Sequence, residues 1–107
     1  MTKSQRVEYL QQLIKEDPED PFPHYGLVLE LASEDPDLGK ERWKNLLQHF
    51  PQYLPSYQLA GQVFFDSGDV VKALEIWKMG AELAVIQKNA NARSELMSSI
   101  QNAMLED

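Results

Sequence analysis

Apolar residues recur through this chain at three- and four-residue intervals, the spacing that gathers side chains on one face of an α-helix. Within residues 54–86, Tyr57, Ala60, Gly61 and Phe64 make one such face. Gly68 and Asp69 then supply a helix stop and a capping carboxylate, after which Val70, Ala73, Leu74, Trp77, Ala81 and Ala84 resume the period. This pattern predicts a helical hairpin in which Gly61, Ala73 and Gly80 let backbones approach while Tyr57, Phe64 and Trp77 fill the space beside them.

The flanking segments read the same way. Residues 2–16 open with Thr2 and Gln5 at capping-box spacing, carry Val7, Leu10, Leu13 and Ile14 on one stripe, and stop at Pro18. Asp20 before Pro21 predicts the next helix, over 21–34, which Tyr25, Val28, Leu29, Leu31 and Ala32 make apolar around most of its circumference, so it should be central. Gly26 marks a place for a second backbone to approach. Asp35 and Pro36 repeat the start signal for a helix with Leu38, Gly39, Trp43, Leu46, Leu47 and Phe50, closed by Pro51. The asparagines within 87–91 suit a tight connection or a cap. The last helix, over 91–105, places Leu96, Ile100, Ala103 and Met104 on its stripe, with Met97 alongside. The sum is an all-α chain of six helices, two hairpins with one helix at each end.

The chain also repeats itself. A shift of 34 residues pairs Pro21 with Pro55, Ser33 with Ser67, Asp35 with Asp69, Glu41 with Glu75, Trp43 with Trp77 and Lys44 with Lys78, with Gly39 opposite Ala73. This is a helix-hairpin repeat period.

With Tyr57, Ala60, Gly61, Phe64, Ala73 and Trp77 at their offsets, and Gly39, Trp43 and Pro51 repeating them one period earlier, the chain resembles the tetratricopeptide repeat family. It looks like a small bacterial member. Ala60 stands where the family has a larger residue, and Val85 where it has the closing Pro, so the second helix of that repeat should run past the usual boundary. The first repeat departs in its leading helix, with Pro23 opposite Tyr57 and Leu27 opposite Gly61. The resemblance implies a right-handed superhelical stack of antiparallel hairpins in a single domain, 1–107. Its parts are a flanking helix (2–16), a first repeat (21–51), a second repeat (54–88) and a capping helix (91–105). It also implies that the first helix of each repeat lines a concave face. Here those positions are Pro21, His24, Tyr25, Val28, Leu31 and Ala32, then Pro55, Gln58, Leu59, Gln62, Phe65 and Asp66. They make an apolar trough with polar rungs, without the Lys, Asn and Arg that family members use to clamp a peptide's terminal carboxylate.

Composition narrows the chemistry. The chain has 107 residues, 43% hydrophobic and 25% charged, an ordinary globular balance, and no apolar run approaches a membrane span. Its start lacks the apolar core of a secretory signal, so the cytoplasm is the expected compartment. A net charge of −7 argues against a nucleic-acid backbone as partner. Without cysteine there is no disulfide or thiolate metal site. The carboxylates around Pro18 lack the alternation and central glycine of a calcium loop and read as a solvated turn. His24 and His49 fall at helix ends that a hairpin could bring together, but no metal-ligand spacing accompanies them. No phosphate loop or nucleophile elbow is present, and Ser94, Ser98 and Ser99 have no histidine nearby in sequence to activate them.

The function expected is therefore a non-enzymatic interaction scaffold, without cofactor or metal. It would hold a partner peptide or helix with His24, Tyr25, Val28, Leu31, Gln58, Gln62, Phe65 and Asp66. The alternative is a structural domain that forms a homodimer through its apolar face or terminal helices.

Overall fold

The structure, a computed structural model, describes residues 1–32 and 34–105. Six helices and no strand occur among them, arranged as two compact units, Met1–Phe50 and Pro51–Asp107. The Ser33 half of the repeat pair with Ser67 lies outside the described residues.

The first unit contains α1 (Lys3–Glu16), α2 (Pro21–Leu31) and α3 (Pro36–His49). Thr2 caps α1 through a reciprocal capping box with Gln5. Asp17 is extended ahead of Pro18, as proline requires of its predecessor. Asp20 caps α2 by accepting from the Phe22 N–H, and Asp35 caps α3 by accepting from the N–H groups of Asp37 and Leu38. Lys3 reaches Glu34, Arg6 reaches Glu30, and Leu10 lies against Gly26, so α1 and α2 run antiparallel.

Four expectations for this unit need correction. The helix expected over 21–34 ends at Leu31, because Pro36 holds Asp35 extended for its capping role and the chain must leave the helix before it. α2 is not central: only Pro23 is buried along it, and Phe22 and Leu29 are 59% and 44% exposed, since α1 and α3 cover only part of its circumference. Gly26 meets the Leu10 side chain, whose methyl would lie 3.0 Å from an added Cβ, and not a backbone. The core here centres on Trp43 and Leu46, with Tyr25 set edge-on to the Trp43 ring at 5.9 Å. Leu38, expected on that apolar face, is 47% exposed. Gly39 is required by a close approach, since a Cβ there would come within 2.6 Å of the Ala32 carbonyl oxygen.

The second unit contains α4 (Pro55–Asp66), α5 (Val70–Ile86) and α6 (Ala90–Leu105). At the end of α4 the Asp69 N–H donates to the Phe64 carbonyl and the Gly68 N–H to the Phe65 carbonyl, with Gly68 at φ 91°. These are the two bonds of a Schellman stop. α5, with Val85 in place of a closing proline, continues to Ile86 and ends in the same motif. There the Asn89 N–H donates to the Ala84 carbonyl and the Lys88 N–H to the Val85 carbonyl. The left-handed position is filled by Lys88, at φ 58°, and not by the neighbouring Asn89. Asn89 instead caps α6, accepting from the Ala92 N–H at 3.0 Å.

Tyr57, Ala60, Gly61 and Phe64 of α4 are buried against Ala73, Ile76, Trp77, Gly80, Ala81 and Ala84 of α5. Leu96, Ile100 and Ala103 of α6 are buried as well, Leu96 lying beside Gly80. Met104, expected on that stripe, is 61% exposed, because a helix advancing 100° per residue carries it about 80° round from Leu96.

Candidate functional site

Each unit contains a cleft bordered by expected site residues, and the two differ in chemistry.

In the second unit α4 presents Gln58, Gln62, Phe65 and Asp66 at intervals of four, three and one, on one side of the helix. Phe64 packs inward, so the 100° step to the next residue turns Phe65 toward the edge of the core, where it is half-buried. Its ring lies 5.9 Å from that of Trp77, tilted by 38°. α6 lies beside it and contributes Ser99, Asn102 and Ala103 to a cleft of about 210 Å³, whose other walls are Gln62, Phe65 and Trp77. Gln58 sits deeper. Its amide nitrogen donates to the Ser99 hydroxyl at 2.7 Å, tying α4 to α6, while its buried amide oxygen has no hydrogen-bond partner among the described residues. At the rim the Gln62 amide donates to the Asp66 carboxylate at 2.8 Å. Of the four expected residues in this unit, Gln62 and Phe65 line the cleft, and Gln58 and Asp66 brace it.

In the first unit a cleft of about 290 Å³ lies between α2 and α3. His24, Leu27 and Val28 come from α2, Arg42, Asn45, Leu46 and His49 from α3, and Phe50 from its cap. The His24 Nε2–H donates to the Pro18 carbonyl at 2.9 Å, which sets the tautomer and holds the ring. That ring stands 4.9 Å from Phe50 and 6.4 Å from the His49 ring. Tyr25 and Leu31, expected at the same face, lie outside this cleft, Tyr25 being packed on Trp43. Arg42 and Asn45 were not expected. The signal for them was the i, i+3, i+4, i+7 spacing of Arg42, Asn45, Leu46 and His49, a polar and apolar mixture on one side of α3.

Arg6, Glu30 and Tyr57, whose titration is displaced, line neither cleft. Among the described residues no cluster of three or more His, Asp or Glu could hold a metal ion, and no helix is long and apolar enough to cross a membrane.

No protein-family model matches the chain, and no curated protein matches its sequence. Solved structures do. The crystal structure of a tetratricopeptide repeat domain protein from Salinibacter ruber superposes with a TM-score of 0.74 at 22% identity, covering 82% of this chain and 99% of that one. A solution NMR structure of a tetratricopeptide repeat domain protein from the same organism gives 0.72 at 26% identity, covering 81% and 89%. With the helix order, the repeat period and these superpositions in agreement, the chain is a small protein of the tetratricopeptide-repeat-like fold, all-α and built of helical repeats.

Proposed function

We propose that this chain is a non-enzymatic scaffold that holds an extended or helical segment of a partner protein against the first-helix face of a repeat, α4 in the second unit. The observation that carries this reading is the lining of the second-unit cleft. Phe65 and Trp77 offer an aromatic floor, and Gln62, Ser99 and Asn102 supply uncharged donors and acceptors around it. Such groups match the alternating N–H and C=O of a peptide backbone and do not require a charged ligand. Aromatic floors with a polar rim are also where binding energy concentrates in protein interfaces.

The outer face of α5 supports self-association less well. Exposed Val71, Met79, Val85 and Ile86 there alternate with exposed Glu75, Lys78 and Glu82, and pairing two copies through that face would desolvate those charges.

The test is a peptide selected from a random display library on the whole chain, then titrated into ¹⁵N-labelled protein. Saturable shifts at the Gln62 and Asn102 side-chain amides and around Phe65 are the expected result. Shifts confined to α1, α3 or the outer face of α5 would refute it, as would a monomer–dimer equilibrium in sedimentation that the peptide leaves unchanged and that Val85→Glu abolishes.

A further inference from the structure

The cleft between α2 and α3 contains a cation, Arg42, that no carboxylate among the described residues neutralises. In a protein with 17 acidic and 10 basic residues, Lys3, Arg6, Lys40, Lys44 and Lys72 each pair with a carboxylate. Arg42 pairs with none among the described residues, and its Nε is shut off from water with no hydrogen-bond partner. With Nε closed to water, a ligand in the cleft can meet only the outer N–H groups of the guanidinium, a planar fork best matched by an oxyanion that takes two of them at once. Among the described residues no Asp or Glu lines this cleft. Asn45, three residues on along α3, adds an amide donor, while Val28, Leu46 and Phe50 make the rest of the wall apolar. His24 is held in place at the edge by its bond to Pro18.

We infer that this cleft binds a small monocarboxylic acid with an apolar body. The carboxylate takes the Arg42 guanidinium and the Asn45 amide, and the apolar body covers Val28, Leu46 and Phe50. The volume of about 290 Å³ sits at the lower end of small-molecule pockets, which suits a ligand the size of an acylated amino acid. The site belongs to the other unit from the groove of Gln62 and Phe65 and stands on a different observation, so either reading can fail without the other.

The experiment titrates N-acetyl-leucine into the ¹⁵N-labelled full chain and follows the Arg42 Nε–Hε resonance. N-acetyl-leucinamide, with the same body and no carboxylate, and inorganic phosphate, with charge and no body, are run beside it. A saturable Arg42 shift is expected with the acid, with affinity lower by about tenfold or more for the amide, for phosphate, and for the acid on Arg42→Gln, the range expected for losing a charge-assisted pair. Equal binding of acid and amide overturns the proposal, as does phosphate binding as tightly as the acid, or the lack of any saturable Arg42 shift. Should Arg42→Gln fail to fold by circular dichroism, the comparison of acid with amide on the unaltered protein still decides.

Discussion

The Trp77 indole occupies the space that a side chain on Gly61 would need: a Cβ built on Gly61 would lie far inside contact distance of the ring Nε1. The indole N–H at the same point donates to the Gln58 carbonyl at 3.1 Å, one helical turn before Gly61. The missing methyl and the large ring are thus one packing arrangement, and α4 and α5 approach each other through it.

Gly61→Ala should therefore destabilise the second unit more than helix propensity would suggest. Propensity alone favours Ala by about 1 kcal/mol, whereas overpacking costs about 1 to 3 kcal/mol. Trp77→Ala should cost about 3 to 5 kcal/mol, because the ring is only 2% exposed. In a double-mutant cycle by urea denaturation, Gly61→Ala should become neutral or stabilising once Trp77 is Ala. Simple additivity would mean that the two sites do not share the space.

Gly68 and Lys88 end α4 and α5 in the same motif with different residues, which separates backbone strain from packing. Nothing lies near an added Cβ at Gly68, so Gly68→Ala should cost about 1 kcal/mol from its φ alone. Lys88 already bears that strain, and Lys88→Gly should raise stability by up to about 1 kcal/mol. Thermal unfolding of both variants checks the pair. A Lys88→Gly protein that melts earlier than the wild type would contradict it.

What the sequence made legible follows the range of the interactions. Caps are local chemistry, and Thr2 with Gln5, Asp20, Asp35 and Asp69 could each be assigned from residues within three positions of them. Trp43 and Trp77, one period apart, are 1% and 2% exposed, because burial of the largest ring is what the repeat is built to do. The partner of Gly39 was not legible: four residues from Trp43, it is pressed on the Ala32 carbonyl, a contact made by the turn between helices. Nor was the left-handed Lys88, since composition points to asparagine for that conformation and the neighbouring Asn89 is occupied as a cap. Most of the lining of each cleft lies outside the expected residues for a similar reason. Ser99 and Asn102 reach the Gln62 and Phe65 face from a helix more than thirty positions along the chain, and Arg42 carries no motif that marks it in the sequence.

Two groups make stability depend on pH with opposite signs. Burial pushes the Tyr57 phenol, which donates to the Pro51 carbonyl at 2.7 Å, above its ordinary value of 10.0. The folded state thus favours the neutral phenol, and that contribution is complete below the unfolded value and lost as pH rises through the folded one. Glu30 is held below its ordinary value of 4.5, chiefly by the hydrogen bond from Arg6. Its contribution is complete above the unfolded value and lost as pH falls through the folded one. Tyr57→Phe should flatten the alkaline limb of a stability–pH profile and leave the acid limb unchanged, and Glu30→Gln should do the reverse. An alkaline limb that survives Tyr57→Phe would assign it to other groups.

Phe65 decides between a recognition groove and a core extended under α6. It follows Phe64 directly, and a 100° step prevents both rings from facing the same hairpin core. The structure leaves Phe65 half-buried, on Trp77 and beside Ala103. A fully buried Phe loses about 3 to 5 kcal/mol on truncation, so half-burial predicts about 2 kcal/mol for Phe65→Ser. Peptide binding should then fall by more than stability alone explains, because the folded fraction remains high. Gln62→Ala with Asn102→Ala gives a cleaner comparison. Both residues are exposed, their replacement should keep stability within about 0.5 kcal/mol, and any affinity lost reports on the groove. Retained peptide affinity in that pair, or a loss of 4 kcal/mol or more for Phe65→Ser, would make this face a packed surface under the terminal helix and remove it as the site of recognition.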